Sequence, residues 1–140
     1  MGQTLLTLTS IVLLSMLTMS INKIYITSVR NSVETQHTSD AINFGRDLSD
    51  RIHNYAFKYA QLDNDFGGLT DETTAGSRIE FVSPVGETLY ATVTLSAEGV
   101  NLVEGQTGRI ATIRVFHKKD NNYEMKVEYS TSVVNLSSNP

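Results

Sequence analysis

The chain has 140 residues, no cysteine, no tryptophan and a formal net charge of −4. The missing cysteine excludes a disulfide framework, thiolate metal centres and a cysteine nucleophile. Eleven Lys and Arg stand against fifteen Asp and Glu, with Lys118-Lys119 the one adjacent basic pair, so the charge gives no footprint for nucleic acid.

From Gln3 to Gln61 there is no proline and a single glycine, Gly45, which predicts a helix over most of residues 1–60. As one helix this stretch is roughly 85–90 Å long, too long for a small domain to bury. Its first part, Leu5 to Ile21, is uncharged, and the first cation is Lys23. About twenty residues of this kind suffice to cross a bilayer. Thr7, Thr9, Ser10, Ser15, Thr18 and Ser20 punctuate the run. Their hydroxyls can bond to carbonyls one turn back, and small residues let helices approach closely.

Three readings of this segment compete. A cleaved signal needs a basic start and a small-x-small site, whereas Met1-Gly2-Gln3-Thr4 is uncharged and Ser20-Ile21-Asn22 is a poor site. A simple anchor would have Lys23 and Arg30 hold the following domain in the cytoplasm. A helix that leaves the membrane to pack against copies of itself fits best. Leu5, Leu6, Leu8, Ile11, Val12, Leu13, Leu14, Met16, Leu17, Met19, Ile21, Ile24 and Ile26 are then the candidate assembly residues.

Past Ile24 the pattern turns amphipathic. Ile26, Val29 and Val33, then Ala41, Phe44, Leu48, Ile52, Tyr55 and Tyr59, recur at helical spacing. The stripe thins across 34–40, where Ser39 or Asp40 could cap a second helix after a break. Phe44, Leu48, Ile52, Tyr55 and Tyr59 are the candidate residues for packing under a sheet.

Residues 61–140 are expected to form a β head. Gln61 to Ser77, with paired glycines and four acids, reads as a loop. Asp63, Asp65, Asp71 and Glu72 offer oxygen ligands for Ca²⁺, but Thr74 stands where the loop motif needs glutamate, and a solvated acidic loop is the reading preferred. Beyond it the period becomes two. Ile79 and Phe81 begin the series, Ser83-Pro84-Val85-Gly86 is a turn, and Leu89 to Leu95 is a strand. Ala97 to Arg109 is a wide loop with a short pairing expected at Val100-Asn101-Leu102. A third strand runs through Ala111, Ile113 and Val115, the turn spans Lys118 to Asn122, and a last strand places Tyr123, Met125, Val127, Tyr129 and Thr131 on one face. Four such strands make an antiparallel meander whose apolar face only the helix stripe can cover, an α+β fold.

No catalytic arrangement emerges. His37, His53 and His117 fall in different elements and read as surface residues, no nucleotide-binding glycine pattern is present, and no metal or cofactor is expected. Asn135-Leu136-Ser137 matches the N-glycosylation triplet, which is common by chance. An enzyme is not expected.

A long helix, apolar and then amphipathic, followed by a loop and a four-stranded meander, resembles the type IV pilin and pseudopilin superfamily. The family's leader and its glutamate at mature position five have no counterpart here, Thr7 or Leu5 holding that place. The resemblance implies a helical homopolymer, inserted in the inner membrane before assembly, handled by pilus assembly machinery and ending as an extracellular filament. A pseudopilin of a secretion system and a monomeric membrane-anchored binding domain are the alternatives.

Overall fold

A computed structural model describes residues 1–99 and 105–137. The expected pairing at 100–102 lies outside them. The described chain has one long helix, α1 (Gly2–His53), a 3-10 segment (Asn54–Gln61), a short helix α2 (Leu62–Phe66), and strands β1 (Ile79–Val82), β2 (Thr88–Leu95), β3 (Gly108–Lys119) and β4 (Asn122–Val134). Two compact units divide it, 1–37 and 38–140, and each is taken by itself. Residues 34–40 are helical, without the break considered from the sequence. A thin apolar stripe does not end a helix when no proline or glycine interrupts its backbone bonds.

In the second unit, helical residues pack on the sheet, giving the α+β fold, compatible with a pilin-like architecture. The sheet is antiparallel with order β1-β2-β3-β4, each strand beside its chain neighbour. Alternation decides its inner face: Leu89, Ala91 and Val93 of β2 and Ala111, Ile113 and Val115 of β3 are at most 1% exposed. They share one cluster with Ala41, Phe44, Leu48, Ile52, Ala56, Tyr59, Leu62 and Phe66. Gly45 permits the close approach, since a Cβ there would meet the Tyr129 ring at 2.7 Å.

Three local features depart from the expected pattern. The helical region does not end near residue 60. It tightens into a 3-10 segment in which Lys58 leaves helical geometry (φ −123°, ψ 37°), and then forms α2 inside the supposed loop. Leu62 and Phe66, one turn apart, drive this extra turn by burying at 1% and 5% exposure. The β3–β4 turn is tighter than Lys118 to Asn122: Asp120 and Asn121 alone connect the strands, both at positive φ (49° and 67°), as a two-residue hairpin turn of matching twist requires.

The third departure changes side-chain faces. A register shift opposite Val115 and Phe116 pairs Val115 with Val127 but Phe116 with Met125, leaving Lys126 as the extra residue. A bulge of this kind reverses the alternation beyond it. Tyr123 and Met125 therefore lie on the outer face, apart from Val127 and Tyr129. Tyr123 meets Tyr90 edge-on at 5.4 Å, and the Arg78 guanidinium lies 4.1 Å from the Tyr90 ring centre. The outer face is not uniformly wet, because Thr92 and Phe116 are buried there.

Candidate assembly surface

The apolar segment has no partner within its own unit. Leu5, Leu6, Leu8, Ile11, Val12, Leu13, Leu14, Met16, Leu17, Met19, Ile21, Ile24 and Ile26 are 49–75% exposed. At about 100° per residue these side chains point around the whole helix. A helix apolar on all sides is stable when it is surrounded, by lipid or by other protein. Exposed apolar surface on this scale marks an interaction site.

Five of the six hydroxyls between Leu5 and Ile21 bond to carbonyls of their own helix. Thr7 donates its hydroxyl to the Gln3 carbonyl at 2.7 Å, Ser10 to Leu6 at 2.8 Å, Thr18 to Leu14 at 2.8 Å and Ser20 to Met16 at 3.0 Å. Thr9 does the same to Leu5. A hydroxyl already bonded to its own helix carries no unmet donor into an apolar environment, which removes a cost of several kcal/mol per group. By length and composition this helix can cross a membrane.

The five residues expected under the sheet have a different setting. Phe44, Leu48, Ile52 and Tyr59 are 0–8% exposed in the core. Tyr55 is half-buried at its margin, edge-on to Phe66 at 5.2 Å, and donates its hydroxyl to Asp65 at 2.7 Å. That carboxylate raises the Tyr55 phenol above its ordinary pKa, while burial raises that of Tyr59. Sequence reasoning missed Ala56, Leu62 and Phe66 as core residues. The four-residue spacing of Leu62 and Phe66 was the available signal, masked by Gly67-Gly68 directly after it.

The acidic stretch is engaged by protein groups. Asp63 pairs with Arg109, Asp65 accepts from Tyr55, and Asp71 accepts from the Thr73 amide (2.9 Å) and the hydroxyls of Thr73 (2.7 Å) and Thr74 (2.6 Å). The Thr74 and Thr73 donors hold the Asp71 carboxyl at about 2, below the usual carboxylate range. Three of the four oxygen donors considered for Ca²⁺ thus have protein partners. His117 is not a surface residue: it is half-buried, with Nε2 3.2 Å from a Glu87 carboxylate oxygen. His53 is exposed, and its Nδ1 lies 3.2 Å from the Ser132 carbonyl.

No protein-family profile, curated protein or solved structure matches the chain.

Proposed function

We propose that this chain is the structural subunit of an extracellular helical filament of the type IV pilus kind, polymerising through its N-terminal helix. The supporting observation is the segment Leu5–Ile21: uncharged, exposed, with apolar side chains around its full circumference and the hydroxyls of Thr7, Thr9, Ser10, Thr18 and Ser20 bonded to its own carbonyls. Such a helix suits both lipid and a bundle of identical helices, and transfer from one to the other leaves these hydroxyl bonds in place. Burial of its side chains away from water contributes on the order of 1.5–3 kcal/mol each. Head-to-tail contacts between copies generate an open helical fibre rather than a closed ring.

On this reading the chain waits in the inner membrane, is drawn out by an assembly machinery and ends at the cell surface. Residues 5–26 form the fibre core and the β heads its sheath. The experiment is removal of detergent from the full chain and, in parallel, from a chain lacking residues 1–27. The full chain is expected to form fibres under the electron microscope and the shortened chain to remain soluble and folded. Fibres from the shortened chain would overturn the reading. A full chain that stays monomeric would favour a membrane-anchored domain instead.

A further inference from the structure

The head carries an apolar groove with an acidic lining. Asp40, Asn43, Phe44 and Asp47 of α1 line it from one side, Phe81 and Pro84 from the other. Phe44 stacks on Phe81 with ring centres 4.8 Å apart and planes 15° from parallel. Phe81 remains 36% exposed, and the adjoining Val82 and Val85 are 64% and 57% exposed, so the apolar surface continues outward. Asp40 and Asp47 are seven residues apart, two helical turns, and bracket Phe44 on one side of the helix. This surface therefore suits an apolar segment bearing two cations with matching separation.

The chain contains such a segment. Lys23 and Arg30 are also seven residues apart, with Ile26 between them on the same side and 57% exposed. Among the described residues the ion pairs of the chain engage neither cation.

We propose that the groove receives the Lys23–Arg30 stretch of a second copy of this chain. Arg30 of one copy meets the exposed Asp47 of the other, Lys23 lies over the end of the groove where Asp40 stands at 8% exposure, and Ile26 rests on the Phe44–Phe81 stack. Arg30 opposite Asp47 and Lys23 opposite Asp40 require the same shift of seventeen residues, so one axial offset of about 25 Å between parallel helices satisfies both placements together. The Asp47–Arg51 pair does not stand in the way: both side chains are exposed, at 71% and 62%, and such pairs hold weakly. The inference rests on the polymer reading and assigns one of its lateral contacts and the register of that contact.

The test uses the full chain and a reciprocal charge exchange, with fibre mass measured by sedimentation and electron microscopy after detergent removal. Arg30→Asp and Asp47→Arg are each expected to cut fibre mass by about tenfold or more, as facing like charges oppose docking. The double variant Arg30→Asp/Asp47→Arg is expected to recover to within about threefold of the parent. Circular dichroism of each variant confirms that the heads are folded. If the parent forms fibres and a folded single variant does so equally well, the groove contact is wrong. The same holds if the folded double variant stays as low as the singles. If the parent itself forms no fibre, the polymer reading fails first and this contact fails with it.

Discussion

Leu13 and Leu48 are the same side chain on the same helix, yet one is 62% exposed and the other 1%. The difference lies in the company each keeps in sequence. Around Leu48 the apolar residues Phe44, Ile52 and Tyr55 recur every three or four positions, and charges Arg46, Asp47, Asp50 and Arg51 fill the intervals. That stripe matches one sheet. Around Leu13 the residues Ile11, Val12, Leu14 and Met16 cover every direction, and no single sheet could satisfy them. One stretch carries the pattern of intramolecular packing and the other the pattern of a helix that needs surroundings on all sides. Sequence pattern therefore separates what stabilises the folded head from what is left exposed for the proposed association.

The sharpest way to break this comparison is a charge in the exposed stretch. Leu13→Lys should abolish fibre formation and weaken membrane insertion by about 2.5–3.5 kcal/mol, while the melting temperature of the head stays unchanged. Calorimetry together with sedimentation separates the two effects. The mirror experiment is Ile52→Ala, which opens a cavity under the sheet and should cost the head about 2–5 kcal/mol in chemical denaturation. Next comes Gly45→Ala: alanine favours the helix locally, but its Cβ collides with the Tyr129 ring. A net loss of about 1–3 kcal/mol is expected, reduced when Tyr129 is shortened in a double-mutant cycle. Smaller still is Asn121→Gly, which relieves a side chain at φ 67° and should be neutral or stabilising by up to about 1 kcal/mol in thermal melts.

The smallest effect concerns acid. Asp71 titrates at about 2 in the folded head, below an unfolded value of about 3.9. Its depressed pKa means that its contribution is fully present above pH 4 and is lost as pH falls through about 2. Asp71→Asn should therefore show a shallower decline in melting temperature across pH 4 to 2 than the parent. An unchanged slope would show that the Thr73 and Thr74 bonds do not matter to the fold.

Much of this was legible because strong periodicity needs no context. Phe44, Leu48, Ile52, Tyr55 and Tyr59 read as one stripe, and Leu89 to Leu95 read as alternation. The bulge at Lys126 left no such trace. Tyr123 to Thr131 keeps its period of two in the text, while one extra residue in the ladder turns Tyr123 and Met125 outward. Helix α2 was hidden for another reason: Asp63, Asn64 and Asp65 are poor helix formers, and the turn exists because the core accepts Leu62 and Phe66. The half-buried position of His117 depends on Glu87 across the β2–β3 pair, thirty residues earlier in the chain, which local patterns do not report. The apolar face of residues 5–26 was fully legible, since it depends on composition alone.

The central claim is that those residues are exposed in one subunit because they are meant for the core of many. Helical reconstruction of fibres grown from the full chain tests it most directly. In such fibres a bundle of helices is expected along the axis, with residues 5–21 enclosed by copies of themselves and the β heads outside. Fibres built through the heads alone, or full chains that remain single after detergent removal, would contradict it.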